Sequence, residues 1–443
     1  MLIFDILPNE ILILVFTKWL SAKEIVLFDT SISDQKSRPE FLRFFVINFD
    51  GSKTIAYPKS YIRWLIYRKI KVKYLKVLCV TGLEFEGFGH CSEMLEYLYI
   101  SDQNHTVTGK WSSIFQSCGS LSCLRQLNIH HFYLKIADIR DLCHGCEKIE
   151  ELALTRCGLT NDMVVIIAET YHLLRALNIS CNSKITDQSL SVIFEKSKNL
   201  KYLCLASTAV TISGFTRSKF GACSRVLQSI DLSFCNEITD SSIISVAGSL
   251  DKLISLNISY CDNITTGVLT AIGKICTGLE ILLYDRDTAP YKPDQIMLTD
   301  NDVVEFVKSI VGLRSLSLLG HTELTEFSGN AIADSCPRLE ELTFEGLLNN
   351  LSIFSICIKC TKLKRLDVIM LEAGNLQLFE MIGNGVLPDL VWMRARLCNR
   401  PPIFTNVWMR DRLCNILSSS QMQTMAQVIV WLNYNVSNVC FSY

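Results

Sequence analysis

Along residues 253–278 the apolar positions change period once and then begin again. Leu253, Leu256 and Ile258 follow the spacing L-x-x-L-x-L. Leu256 and Ile258 lie two apart, so they share one face of a short strand. Val268, Leu269, Ile272, Ile275 and Cys276 then recur at helical spacing and form one apolar stripe. Cys261, Ile264 and Thr265 lie between the two patterns, and Leu279 restarts the first. One such strand–helix unit cannot bury its own stripe. Stacked neighbours can, so the sequence predicts an array.

The opening recurs with first apolar positions at Leu75, Leu95, Leu124, Ile149, Leu174, Leu200, Leu227, Leu253, Leu279, Leu313, Leu339, Leu363 and Leu390. Most steps are 24–27 residues, and the block 124–366 is the most regular. This is the leucine-rich-repeat signature in its cysteine-bearing form. The predicted fold is therefore α/β: a leucine-rich-repeat solenoid, horseshoe-shaped, with parallel strands on the concave face and helices outside. The curvature is expected because strands pack at ~4.8 Å while helices need ~10 Å. The step from 279 to 313 is the longest. Its extra residues lie in DRDTAPYKPDQIMLT at 285–299 and must leave as a surface loop, a kind that often carries function. Cys157, Cys235 and Cys261 each fall five residues after the second strand position, and Cys146, Cys276, Cys336 and Cys360 three before the first. Ile185-Thr186-Asp187 and Ile238-Thr239-Asp240 place a Thr or Asp to cap the following helix.

Strand alternation makes a surface readable. Positions two, four and six after each first apolar residue are expected to face solvent on the strand side. The candidate partner-binding residues there are Asn178, Tyr202, Asp231, Asn257, Ile281, Leu283, Asp285, Leu319, Glu341 and Glu345. Ile281, Leu283 and Leu319 make an apolar patch beside the insertion. Glu341, Glu345 and Asp367 make an acidic end. An apolar patch rimmed by polar groups has the make-up of a protein-binding site. Ordinary variation along a solvated face accounts for the same residues equally well.

Residues 1–45 do not follow the repeat. Leu7-Pro8-Asn9-Glu10-Ile11-Leu12 begins a helix in which Pro8 suits the first turn and Leu7, Ile11, Val15 and Phe16 line one face. Ser21 to Glu24 reads as a capping box for a second helix, and Arg38-Pro39-Glu40 starts a third. Three short helices make a core that is marginal alone, so such a module usually docks onto something. The stretch LPNEILILVFTKWLSAKEIVLF resembles the F-box, whose pattern opens L-P-x-E-I-L-x-x-[IV]-F. An F-box followed by cysteine-type leucine-rich repeats is the layout of the F-box/LRR family, the substrate receptors of SCF ubiquitin ligases. The resemblance implies a non-catalytic substrate-recognition subunit. Leu7, Pro8, Glu10, Ile11, Val15 and Phe16 would bind the SCF adaptor, and through it the cullin. The repeats would hold a protein substrate for ubiquitination and proteasomal degradation. The segment DTSISDQKSRPEFLRFF lacks the cysteine and tryptophan usual in a third F-box helix. A plain leucine-rich-repeat scaffold without ligase coupling, with the three helices as a cap, is the alternative.

Composition removes several classes. The chain has 443 residues and a formal net charge of -1, which argues against a protein built to bind nucleic acid. Residues 53–76 hold eight Lys and Arg and no acid. The helical spacing of Tyr61, Leu65 and Arg68 reads as an amphipathic connector with solvated lysines. The 19 cysteines are odd in number and many occupy apolar repeat positions. They read as reduced core thiols, which places the chain in the cytoplasm or nucleus. No apolar run approaches the ~20 residues that span a bilayer, and MLIFDILPNE is a poor signal peptide. No membrane partner is expected. Cys143-x-x-Cys146 and Cys357-x-x-Cys360, with His130-His131 upstream, have ligand-like spacing. Cys146 and Cys360 are repeat positions, however, and a structural zinc needs four convergent ligands, so neither metal nor cofactor is expected. No phosphate loop, nucleophile elbow or HExxH helix is present. The sequons at Asn178, Asn257 and Asn263 fall inside repeats. The expected divisions are a helical module at 1–50, a basic connector at 51–74, the array at 75–389 and an irregular C-terminal cap at 390–443. In that cap VWMRARLCN at 391–399 recurs as VWMRDRLCN at 407–415.

Overall fold

Each L-x-x-L-x-L opening becomes a short parallel strand in the computed structural model of the chain. The structure describes residues 24, 29, 54–55, 59–78, 85–102, 111–118, 121–213, 215–286, 298–370, 392–397 and 403–405. The helix expected at Leu7, the capping serine Ser21, the third helix and the second copy of the C-terminal duplication lie outside them. The chain divides into two compact units, Met1–Val210 with Lys219–Leu227, and Thr211–Ser218 with Gln228–Tyr443.

In the first unit, β1 (Thr54–Ile55), β2 (Tyr74–Leu78), β3 (Tyr97–Ser101), β4 (Gln126–His130), β5 (Glu151–Thr155), β6 (Ala176–Asn178) and β7 (Tyr202–Cys204) each pair parallel with the next. In the second, β8 (Ser229–Asp231), β9 (Ser255–Asn257), β10 (Ile281–Leu283), β11 (Ser315–Leu318), β12 (Glu341–Leu348), β13 (Arg365–Met370) and β14 (Trp392–Leu397) do the same. β15 (Ile403–Thr405) runs antiparallel to β14. The expected α/β leucine-rich-repeat fold is present, with a strand and usually a helix in each repeat.

The three apolar strand positions build the core. Leu253 is 5% exposed, and Leu256 and Ile258 are 0% exposed. Burying such a side chain is worth about 1.5–3 kcal/mol. Val268, Leu269, Ile272 and Cys276 complete the stripe of the helix Gly267–Ile275. Ile275 does not, since it stands 41% exposed on the far side. The register also moves one expected repeat start. Leu75 lies opposite Leu98, which lies opposite Leu127. Those are second strand positions, so the first position of that repeat is the buried Val72.

Two polar systems tie neighbouring repeats together. Thr186 caps its helix as expected, accepting from the Gln188 N–H, and Thr239 stands at the N-cap of its helix with its N–H donating to Ser242 Oγ; Thr325, which the sequence motif did not single out, accepts from the Phe327 N–H. The first helical residue then reaches the next cap. Asn161 Oδ1 accepts the Thr186 N–H at 3.0 Å, and Asp300 Oδ1 the Thr325 N–H at 2.9 Å. Just after the first apolar position, charges alternate in two stretches of the array, 125–175 and 280–364. Glu150 pairs with Arg125 and Arg175. Arg314 pairs with Glu280 and Glu340, and Glu340 with Lys364.

Past the strand, the seventh position after the first apolar residue turns left-handed. His131, Arg156, Cys181, Ser207, Phe234 and Tyr260 hold φ between 54° and 65°. This costs a non-glycine residue about 1–2 kcal/mol. A hydrogen bond to the next repeat offsets the cost: the N–H of Arg156 donates to Ser180 O at 3.0 Å, and that of Tyr260 to Asp285 O at 2.8 Å.

Candidate functional site

The strand faces carry the candidate target residues, and the structure sorts them by what their side chains already do. In the first unit, Tyr202 is 51% exposed and Asn178 is half-buried. In the second, Asp231, Asn257, Ile281, Leu283, Asp285 and Leu319 are half-buried, and Glu341 is exposed. Asn178, Asp231 and Asn257 occupy the fourth position. Each accepts, through Oδ1, the N–H two residues on, from Ser180, Ser233 and Ser259 at 2.9–3.1 Å. This local turn chemistry competes with the ladder, and the strands there span only three residues.

The sixth position departs from expectation. Ser180, Ser233, Ser259 and Glu345 are buried, because the backbone is already bending toward the left-handed residue and strict alternation fails. Glu345 is therefore not an exposed acid. Its Oε2 accepts the Gly320 N–H at 2.8 Å. Asp367 is buried as well. The acidic end thus reduces to Glu341, which lies 3.8 Å from the Arg365 guanidinium.

The residues of the expected apolar patch, all half-buried, lie on or just beyond two paired strands. β10 and β11 are register partners, Ile281 with Ser315 and Leu283 with Ser317, and Leu319 follows two residues beyond Ser317. Beneath its edge, Asp285 Oδ1 accepts the Ser317 hydroxyl at 2.5 Å and the Leu319 N–H at 2.9 Å. Burial raises the Asp285 pKa, and these two donors work against the rise. Arg286 is buried, and its Nη2 donates to Ile264 O at 2.5 Å and to the Tyr284 hydroxyl at 2.9 Å. Residues 287–297 of the insertion lie outside the described residues.

Among the described residues fifteen cysteines are free, twelve of them buried. Burial pushes the Cys157, Cys261 and Cys336 thiols up to about 12, which removes thiolate character at neutral pH. Cys143, Cys146, Cys357 and Cys360 are all buried. No group of three or more His, Cys, Asp or Glu side chains converges as a metal site among the described residues. No described helix is long and apolar enough to cross a membrane.

Leu7, Pro8, Glu10, Ile11, Val15 and Phe16 lie outside the described residues. Asp29, close behind them, is fully buried. It accepts the Trp64 indole N–H at 2.7 Å and the Arg68 Nε–H at 3.0 Å. Both donors come from the helix Lys59–Arg68, where Tyr61, Ile62, Trp64 and Leu65 are buried. The connector is thus an amphipathic helix, and no local pattern in the sequence signals its buried ion pair. On the solvent side of β2 and β3 lies a tyrosine cluster: Tyr97 and Tyr99 stand at positions two and four after Leu95, whereas the expected start at Leu75 leaves Tyr74 out of phase.

A family profile described as Leucine Rich repeat matches residues 172–194 and 223–247. Together with the strand–helix repeats, this match identifies a leucine-rich-repeat fold. The sequence is also similar to F-box/LRR proteins. The Putative F-box/LRR-repeat protein 23 of Arabidopsis thaliana is 34% identical over 128 residues, covering 28% of this chain and 26% of that protein. The match therefore spans about a quarter of the relative's length. Among solved structures, a chain of the Rad7 and Elc1 complex of yeast shares 17% identity with a TM-score of 0.45, over 83% of this chain and 89% of that one. An internalin from Listeria monocytogenes shares 15% identity with a TM-score of 0.38, over 75% of this chain and 89% of that one.

Proposed function

We propose that the chain is the substrate-recognition subunit of an SCF-type ubiquitin ligase. Its F-box-like segment binds the adaptor, and the adaptor links it to the cullin. Its repeats hold a protein target for ubiquitination and degradation. The observation that carries this reading is the pairing of the Leu7–Phe16 motif with a leucine-rich-repeat array, in a chain similar over 128 residues to an F-box/LRR-repeat protein. The chain itself is assigned no catalysis, because a receptor leaves transfer chemistry to the enzymes it recruits. The cytoplasm or nucleus suits its many free thiols.

Few residues dominate most interfaces. A Leu7→Ala, Pro8→Ala double change in the full chain should therefore weaken adaptor binding by at least about 2 kcal/mol, roughly thirtyfold. It should leave the repeats folded, because they rest on their own stacking contacts. A titration of purified adaptor against both proteins checks this. Absence of wild-type binding at tens of micromolar would favour the scaffold reading, for which the divergent third-helix segment is the motive. Target capture is proposed for Ile281, Leu283 and Leu319. Leu283→Ser with Leu319→Ser should abolish it and keep adaptor binding.

A further inference from the structure

The solvent side of β2, β3 and β4 carries a second surface, of different chemistry. The register sets Tyr74, Tyr97 and Gln126 in one row and Lys76, Tyr99 and Asn128 in the next. The alternate residues Leu75, Val77, Leu98, Ile100, Leu127 and Ile129 are buried in the core, so the rows face away from it. The Tyr74 and Tyr97 ring centroids are 6.2 Å apart. On the preceding strand, the Lys76 ammonium lies 4.9 Å from the Tyr99 ring centroid. On the following strand, the His130 ring stacks on Tyr99 at 4.8 Å with planes 28° apart. Burial, His131 and Lys76 together lower the His130 pKa.

These side chains are surplus to the core. A strand needs an apolar residue only on its buried side, and small polar residues would keep the solvent side soluble. Tyrosine instead offers large, rigid, amphipathic area at low entropic cost, and it is enriched where interfaces concentrate their energy. The charge balance is equally one-sided. Lys71 pairs with Glu93, Lys73 with Glu96, Arg68 with Asp29 and Arg125 with Glu150. Lys76 has no carboxylate partner among the described residues, and a ring holds it in place. Glu151, the register partner of Gln126, marks where the row turns acidic.

We infer that this face docks a short acidic–aromatic peptide segment of a partner protein. A carboxylate sits at Lys76, and an aromatic side chain lies against Tyr74 and Tyr97. Three strands at ~4.8 Å spacing span ~10 Å, the length of about three extended residues. The inference deepens the receptor reading by naming a class of target. It rests on that reading only for the fate of a captured target.

The test is selection from a random dodecapeptide display library on the immobilised full chain, without adaptor. Enriched sequences should place Asp or Glu beside an aromatic residue. A synthetic peptide made from them should bind at least tenfold more weakly to Lys76→Glu and to Tyr99→Ser, and equally well to Leu283→Ser in the other unit. Lys76→Glu breaks no ion pair among the described residues, so its melting temperature should stay close to wild type, and reselection on it should favour basic peptides. Three results would overturn the inference: no enrichment, enrichment without acids, or equal affinity for Lys76→Glu. Because no adaptor is present, such a result leaves ligase coupling untouched. Failure of adaptor binding likewise leaves this result standing.

Discussion

The Nε2–H of buried His321 donates to the Tyr284 carbonyl at 2.8 Å, and the two ring centroids are 4.9 Å apart. This histidine does what a cysteine or asparagine does in other repeats. Cys157 Sγ donates to Ile129 O, Cys261 Sγ to Leu232 O and Asn182 Nδ2 to Leu154 O. In each case the eighth position of one repeat satisfies the fifth-position carbonyl of the repeat before it. That carbonyl is buried, and leaving it without a donor costs about 1–3 kcal/mol.

Histidine brings a titration that cysteine and asparagine lack. Burial, with a smaller push from Arg286, lowers the His321 pKa from 6.5 to about 4, while the bond to Tyr284 works the other way. Between those values the unfolded chain binds the extra proton and the folded chain does not. This contribution is therefore complete above pH 6.5 and is lost as pH falls toward 4. By pH 5 about 2 kcal/mol should be gone. His321→Asn keeps an N–H donor and should remove that slope. Urea midpoints at pH 7 and pH 5 for both proteins check it, since the comparison cancels the carboxylates, Asp285 among them.

Gly320 and Gly278 should respond to alanine with opposite signs. Gly320 sits at φ 79°, and a Cβ there would come within 2.2 Å of Arg286 O. Gly320→Ala should therefore destabilise by more than about 2 kcal/mol. Gly278 has no left-handed φ and open space around its Cβ position, so Gly278→Ala should stabilise by about 0.4–1 kcal/mol. Equal denaturation midpoints for the two variants would contradict this backbone geometry.

Leu256 and Ser255 test the strand register. Leu256→Ala removes a fully buried side chain and should cost about 2–5 kcal/mol. Ser255 faces the other way, and Ser255→Ala should change stability by less than about 0.5 kcal/mol. Chemical denaturation of both variants reads the difference directly.

Asp29→Ala removes the acceptor of both Trp64 and Arg68. Breaking a buried ion pair from one side should cost about 3 kcal/mol. Asp29→Asn retains an oxygen for the indole N–H and should recover part of that loss. Identical stability of Asp29→Ala and wild type would mean that this contact does not hold the connector helix.

The repeat period was legible because two independent periodicities, strand and helix, had to agree in every unit. Thr186 and Thr239 were readable as caps because an acid follows each of them at a fixed place in its repeat. Other features depended on information a linear pattern does not carry. Val72 and Leu75 are both apolar and buried, and only the pairing with Leu98 decides which opens the repeat. Taking Leu75 as the opening put Tyr74 and Lys76 out of phase, which hid the tyrosine face. Glu345 read as exposed because strict strand alternation puts the sixth position after Leu339 on the solvent side. Nothing near it in sequence announces the Gly320 N–H, 25 residues away. The F-box-like motif could be matched residue by residue, but its residues lie outside those the structure describes.

The alternation of charge from Glu280 through Arg314 and Glu340 to Lys364 gives this part of the chain a parity. Deleting the single repeat 313–338 would set Glu280 beside Glu340, acid against acid. Deleting two, residues 313–362, would set Glu280 beside Lys364 and restore attraction. Each exposed pair is worth only about 0.2–1 kcal/mol, yet the sign reverses with every repeat lost or gained. At this junction the single deletion therefore adds an acid–acid contact that the double deletion avoids, a difference of that size set beside the core each deletion removes. Between Glu280 and Lys364, repeats that look interchangeable in their leucines are thus of two kinds, distinguished by the sign they present to their neighbours.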